Sequence, residues 1–201
     1  MTIITDAVEK LRTLLEGSGC EDGIVTLKRN PGASRCQYER GVTIEAHFGG
    51  GHGQVVTDFP IQATTRISSM YGSPLASPQE RSAALTIINA ATGFLCIARK
   101  LHPCPAECYD FCLTELRTAL KETSLACIGD SPTIAREFSS QMTTNPENAD
   151  TILVIADGLI STEILLLVER LREKKRILLL GPSFAGLSAL IDMEQWCPYG
   201  K

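Results

Sequence analysis

The hydrophobic pattern of the first half of the chain predicts a helix followed by three strands. Residues 6–15 carry apolar side chains at helical spacing, at Val8, Leu11, Leu14 and Leu15. Three β-like segments follow at residues 23–28, 42–48 and 54–58. The glycine-rich run 49–53 is expected to join the last two as a flexible hairpin. This part is therefore interpreted as a helix and a three-stranded meander.

A second helix is predicted from Arg81 to Arg99, and a capping signal precedes it. Ser77 can cap this helix, Pro78 suits its first position, and Glu80 completes a capping box. The helix is apolar on almost every side, which predicts burial between two layers. Asn89, in its middle, must then find hydrogen-bond partners inside the protein.

The pattern changes in the second half, where short apolar strands alternate with helical segments. The strands are predicted at residues 125–128, 151–156 and 177–180, with a helix at 163–174. Strands that are apolar on both faces are typical of a parallel sheet covered by crossover helices. The expected fold class is therefore α/β.

Two domains are expected within this fold class. A small α+β domain, the meander and its helices, occupies residues 1–101, and a parallel-sheet, Rossmann-like domain occupies residues 102–201. In an open α/β sheet the loops after the strands line the crevice where ligands bind. The residues predicted to bind a cofactor or ligand there are Gly129, Asp130, Ser131, Asp157, Gly158, Gly181, Pro182 and Ser183. Tight β→α turns need the same residue types without a ligand, and no nucleotide-binding glycine motif is present.

The composition of the chain excludes some classes of binding partner. The net charge is −4 and no long run of Lys or Arg occurs, which argues against nucleic acid or an anionic membrane surface as the main partner. No stretch reaches about 20 apolar residues, and the first residues lack the basic start of a signal peptide, so a cytoplasmic location is expected. There, the eight cysteines favour metal binding, redox chemistry or core packing over disulfides, and they suit an anaerobic host. A homodimer is the default expectation.

The densest group of metal-ligating residue types lies in the segment 102–112. Pro105 suits the first turn of a helix, which would place Cys104 at or near the N-cap and Cys108 one turn later. Thiolates one turn apart can share a metal ion. Cys112 lies roughly 12 Å along the helix from Cys104, too far to bind the same ion. The predicted metal ligands are therefore His102, Cys104 and Cys108, and soft thiolates with imidazole favour zinc, nickel, cobalt or iron.

Other interpretations of the same residues stay open. Cys108 and Cys112 continue the apolar stripe of the helix, and free cysteine is a common core residue. His47 and His52 could turn towards a metal, although a lone histidine is more often structural. No nucleophile elbow and no Cys–His–Asp order occurs, so nothing specifies nucleophilic catalysis.

Several segments in order resemble a known family. They are residues 81–90, His102 with the cysteines after it, residues 148–154 and residues 180–183. Together they are similar to the heavy-metal chelation family, a domain of unknown function found largely in anaerobic bacteria and archaea. That family pairs an N-terminal domain resembling the enolase N-terminal fold with a Rossmann-like domain. The resemblance implies metal handling, with a link to anaerobic corrinoid synthesis.

The resemblance also points to individual residues. It implies a ligand pattern at His102, Cys104 and Cys108, and loop positions at Asp157 and Gly158 and at Gly181 to Ser183. Pro103, between the first two ligands, departs from the family pattern.

Three functional hypotheses follow. The first, which we favour, is the binding or handling of a transition metal or a metal-bearing cofactor between the two domains. The second is an enzyme or sensor for a small anionic metabolite at the sheet-edge loops, with Asp157 and Ser183 as its polar groups. The third is a non-catalytic dimeric scaffold subunit. Catalytic turnover is neither predicted nor excluded.

Overall fold

The computed structural model describes residues 2–201, which form two four-stranded sheets and six α-helices. The helices are α1 (Ile3–Leu15), α2 (Pro78–Phe94), α3 (Tyr109–Ala119), α4 (Pro132–Glu137), α5 (Thr162–Leu171) and α6 (Ala185–Ile191). The strands are β1 (Ile24–Arg29), β2 (Val42–Phe48), β3 (Gly51–Thr57), β4 (Ala63–Arg66), β5 (Leu125–Ile128), β6 (Thr151–Val154), β7 (Arg176–Leu180) and β8 (Gln195–Trp196). Short 3₁₀ turns lie at Ile67–Met70, Ala106–Cys108, Pro146–Asn148, Ala156–Gly158 and Pro182–Phe184.

Strands β1 to β4 form an antiparallel sheet in the order β3-β2-β1-β4. The predicted meander is confirmed, but the hairpin between β2 and β3 is shorter than expected. Only Gly49 and Gly50 form the turn, and Gly51 already pairs with Phe48 in the sheet. Both turn glycines have positive φ, which a two-residue type I′ turn requires. The short strand β4 was missed because it contains no apolar run.

Helix α2 begins as predicted and ends earlier. The hydroxyl of Ser77 accepts a hydrogen bond from the Glu80 backbone, and the Glu80 carboxylate accepts one from the Ser77 backbone, so the capping box is confirmed. The helix stops at Phe94 instead of Arg99. Cys96 takes a positive φ of 57°, and the next backbone N–H, of Ile97, returns to the carbonyl of Thr92.

The second sheet is parallel, in the order β5-β6-β7-β8, and confirms the predicted α/β class. Strand β5 has the predicted bounds. Strand β6 ends two residues early because Ala156–Gly158 form a 3₁₀ turn. Strand β8 has only two residues, too few to give a periodic signal.

The predicted burial of α2 between two layers is confirmed. One side of α2 packs on β2 and β3, and another packs on α6. Buried side chains of both halves form one cluster, which includes Leu11 of α1, Ile88 of α2 and Leu187 of α6. The boundary between residues 101 and 102 stays a prediction.

Asn89 finds its partners at the junction of the two halves. Its amide nitrogen donates to the backbone carbonyls of Gln54 and Ser183 at 2.9 and 3.0 Å. Its amide oxygen accepts from the backbone N–H of Gly186 at 2.8 Å. A fully buried polar side chain therefore joins β3 to the start of α6.

Arg81 makes a second polar connection between the halves. Its guanidinium donates to the carbonyls of Leu75 and Ala76, to the carbonyl of Ile160 and to the hydroxyl of Thr162, at 2.6–2.9 Å. Burial lowers the pKa of this guanidinium, against the opposing effect of Glu80. The charge is stabilised by neutral acceptors.

Among residues 2–201, no helix is long and apolar enough to cross a membrane.

Candidate metal centre

The side chains of β3 alternate between helix α2 and the opposite face of the antiparallel sheet. Gly51 and Gly53 lie directly under α2, and a Cβ on Gly53 would come within 2.5 Å of the Ala90 backbone nitrogen. Glycine is needed at both positions because the helix approaches the strand so closely. The residues between and after them, His52 and Gln54, therefore project from the other face.

The pairing of β2 with β3 brings two histidines and a glutamate together on that face. His47 lies directly opposite His52, and Glu45 lies opposite Gln54. The two imidazole rings are stacked, with centroids 4.4 Å apart and planes inclined by 23°. Donor atoms of Glu45, His47 and His52 all lie within 4.8 Å of one another. This triad is the candidate metal centre.

His102 extends the stack from the segment that connects the two halves. Its ring lies 4.7 Å from the ring of His52, with an interplanar angle of 24°. Its Nδ1 is 3.3 Å from Oε1 of Gln54. The chain has three histidines, so all of them lie in one column.

Two histidines of this column, His52 and His102, have surroundings that favour the neutral form. Burial lowers the pKa of His52, and the neighbouring His47 lowers it further, against the opposing effect of Glu45. Burial and then His52 likewise lower the pKa of His102. Nε2 of His52 is buried without a hydrogen-bond partner, since the Glu45 carboxylate is 3.8 Å away. A neutral imidazole with a free ring nitrogen is the form that binds metal ions.

The triad contains the ligand types of a metal site, and solvent can reach it, as it must at a site with an open coordination position. Two imidazoles and one carboxylate form a donor set that zinc and iron use in proteins. Asn30 donates a hydrogen bond to Oε1 of Glu45 at 3.0 Å and so orients the carboxylate. The side chain of His47 is exposed, so water or a ligand can reach a metal ion from that side.

The predicted cysteine ligands lie outside this triad. The prediction that Cys104 caps the following helix is wrong, because Ala106–Cys108 form a 3₁₀ turn and α3 starts only at Tyr109, with Cys108 as N-cap. Burial raises the pKa of the Cys104 thiol, with Cys112 and Cys108 adding to the effect. Among residues 2–201, the triad is the group of three His, Cys, Asp or Glu residues whose donor atoms lie within 4.8 Å of one another. Binding of one ion by His102, Cys104 and Cys108 stays a prediction.

Cys112 lies in the core of the second half. It is 4% exposed, and its Sγ is 3.2 Å from the hydroxyl of Tyr38. Packing therefore accounts for this cysteine.

The predicted ligand loops do lie at one edge of the parallel sheet, since they follow parallel strands. At the first loop, Gly129 has a φ of 99° and approaches Gly158 of the second loop. Asp130 forms an exposed ion pair with Arg40 at 2.9 Å. Ser131 caps α4 by accepting a hydrogen bond from the Ile134 backbone.

The other two loops contact the first half of the chain. The carboxylate of Asp157 accepts a hydrogen bond from the Asp58 backbone at 3.2 Å. The hydroxyl of Ser183 accepts one from the Val56 backbone at 3.1 Å. The carbonyl of Pro182 lies 3.5 Å from the Asn89 amide, and Gly181 lies against Glu39. Binding of a ligand by these loops stays a prediction.

Sequence reasoning missed Glu45 and treated the two sheet histidines as separate residues. The signal was a period of two: Glu45 and His47 alternate with apolar residues, and His52 and Gln54 alternate with glycines. The glycine run hid this pattern because all five of its residues were assigned to the hairpin.

Comparisons with known proteins give a distant structural likeness. No family profile and no curated protein matches the chain. Among solved structures, it is similar to a protein of unknown function from the DUF364 family of Pyrococcus horikoshii. The identity is 15% and the TM-score 0.46, over 90% of this chain and 79% of the other. A likeness of this degree assigns no function and no site.

Proposed function

We propose that this protein binds a transition metal ion through Glu45, His47 and His52. The observation that carries the proposal is the convergence of two imidazoles and a carboxylate within 4.8 Å on one sheet face. The free nitrogen of His52 supports it further. Imidazole with carboxylate suits zinc, iron, cobalt or nickel better than magnesium or calcium, which prefer oxygen ligands alone.

His102 is the next candidate ligand, because its ring stacks on His52. To bind the same ion, it would exchange its contact with Gln54 for the metal. In this proposal His102, Cys104 and Cys108 are an alternative ligand set. A metal-bearing cofactor such as a corrinoid is the alternative cargo, since the exposed His47 could supply an imidazole ligand to its metal ion.

Charge disfavours the alternative of a small anionic metabolite at the sheet edge. Such a ligand would meet the carboxyl groups of Asp157 and Glu39, which already lie near each other. Arg40, which follows Glu39 at this edge, is already paired with Asp130 at 2.9 Å. A homodimeric scaffold stays a prediction.

Elemental mass spectrometry on untagged protein, purified without oxygen and loaded with zinc, cobalt, nickel or iron, tests the proposal. The variants are His47→Ala/His52→Ala and Cys104→Ser/Cys108→Ser. The matched control is Thr26→Ala, because Thr26 pairs with His47 on the same sheet face and offers no metal ligand. Circular dichroism checks that each variant folds.

We expect about one metal ion per chain in the wild type, the control and the cysteine variant, and none in the histidine variant. Loss of the metal in the cysteine variant alone would show that Cys104 and Cys108 bind it instead. Absence of metal from the wild type at saturating concentrations would refute metal binding altogether.

A further inference from the structure

The segment between β1 and β2 places a glutamate inside the carboxyl edge of the parallel sheet. Glu39 is only 6% exposed, and its Oε1 accepts a hydrogen bond from the Ser183 backbone at 3.3 Å. The same oxygen lies 2.7 Å from the position that a Cβ of Gly181 would occupy. Only glycine at position 181 leaves room for this carboxyl group.

The contact lies among other bonds between the two halves. Ser183 also binds Val56 of β3 through its hydroxyl. Asp157 binds the backbone of Asp58, just after β3. The end of β3 and the residues around Glu39 therefore cover the loops that follow β6 and β7.

The surroundings of the Glu39 carboxyl group suit a neutral acid and oppose a carboxylate. Its Oε2 is buried without a hydrogen-bond partner. The titratable groups around it are Cys36 on its own segment, Asp157 after β6, Cys197 after β8 and Tyr109 of α3. All four become negative or stay neutral.

No positive charge compensates for this arrangement. Across residues 2–201, no Lys, Arg or His forms an ion pair with Glu39. Arg40 points to Asp130 at the exposed rim, and Lys100 lies near Cys197 instead. Burial accordingly raises the pKa of Glu39 to about 7, against the opposing effect of its bonds to Ser183, and burial raises the pKa of Asp157 to about 6.

We propose that Glu39 is a pH-sensitive switch that closes the carboxyl edge of the parallel sheet as a neutral acid and opens it when it ionises. Tyr38 is 1% exposed and keeps the segment anchored in the core. The side chain of Glu39 therefore moves while residues 36–38 stay in place. Ionisation takes the carboxylate to water and uncovers Gly181 and Ser183, at the edge where α/β proteins bind ligands.

The direction of the pH effect follows from proton linkage. The closed form binds the proton more tightly than an open form in which Glu39 has its ordinary pKa of about 4.3. Opening therefore becomes more favourable as pH rises between about 4.5 and 7, and the effect levels off above that range. Between pH 5 and pH 8 the opening equilibrium increases on the order of 50-fold.

Nuclear magnetic resonance on the full chain tests the switch directly. The side-chain ¹³C signal of Glu39 gives its titration midpoint, and hydrogen exchange of the Ser183 amide, corrected for intrinsic rates, reports opening. We expect a midpoint near 7 and a fall in Ser183 protection on the order of 50-fold from pH 5 to pH 8. Glu39→Gln should remove that dependence. Asp130→Asn, the rim control, should keep it.

Two results would overturn the proposal. One is a Glu39 midpoint near its ordinary value, which needs no variant and holds even if Glu39→Gln does not fold. The other is a pH dependence that persists in Glu39→Gln but disappears in Asp157→Asn, because the switch would then belong to Asp157.

Discussion

His47 and His52 lie directly opposite each other on β2 and β3, with nearly parallel rings 4.4 Å apart. A positive charge on one imidazole disfavours a proton on the other, so His47 adds to burial in lowering the pKa of His52. The arrangement therefore keeps ring nitrogens available for a metal ion near neutral pH without first removing protons.

Metal affinity is expected to fall steeply in acid. A proton competes with the metal for each imidazole, so affinity should fall up to about 100-fold per pH unit once both histidines titrate. The fall should begin below about pH 6.5, since the pKa of His52 is lowered from its ordinary value. Competition with a chelating dye between pH 5 and pH 7.5 measures it. Equal zinc affinity at pH 5.5 and 7.5 would exclude histidine ligation.

Replacing Asn89 by Ala is expected to destabilise the fold by about 3 kcal/mol, because a buried network loses both its donor and its acceptor. The backbone N–H of Gly186 would be left without its partner, as would the carbonyl of Ser183. Urea denaturation gives the change in unfolding free energy. Gln79→Ala, at an exposed position of the same helix, is the control and should change stability by less than about 0.5 kcal/mol.

Arg81→Lys is expected to lower the free energy of unfolding by about 2 kcal/mol or more, although the charge is kept. A lysine ammonium cannot reach acceptors on both sides of the junction as the guanidinium does. Arg66→Ala removes an exposed arginine whose ion pair with Asp22 is long, and should change stability by less than about 1 kcal/mol. A similar loss in both variants would argue against the junction role of Arg81.

Gly181→Ala tests the close approach of Glu39. Gly181 has a φ of 92° and a ψ of 173°, a backbone region that is essentially confined to glycine, so Gly181→Ala carries a backbone cost of about 1–3 kcal/mol whatever residue stands at position 39. Gly181→Ala should cost at least about 1 kcal/mol more, owing to the collision with the carboxyl group. In a Glu39→Ala background this excess should disappear. Calorimetric melting of the wild type, the two single variants and the double variant gives the comparison.

Elements with a strong local signal were predictable from sequence. Strands β2 and β5 have the predicted bounds, because the first alternates and the second is apolar throughout. The start of α2 was readable from its capping box. Its end was not, since it depends on the positive φ of Cys96 and the return of Ile97 to Thr92, neither of which has a sequence signature.

The candidate site was predictable only in part. The period of two places Glu45 with His47, and His52 with Gln54, on one side of each strand. Their convergence further depends on pairing register, which follows from tertiary contacts and turn length. His102 lies 50 residues after His52 in the sequence, and no local pattern indicates that the two rings come into contact. Glu39 lies in irregular structure and carried no signal at all.

The two-residue turn at Gly49 and Gly50 makes the metal centre sensitive to chain length. If one of these glycines were deleted, a two-residue turn could re-form by taking in Gly51 or Phe48, and His52 would then pair with Phe48 or Ala46 instead of His47. The imidazole would face α2, where the backbone of Ala90 leaves room only for glycine. The loss of a single codon in frame is therefore expected to abolish metal binding, although the gene would still encode Glu45, His47 and His52. Descendants that keep the histidines are thus expected to keep the length of this turn as well.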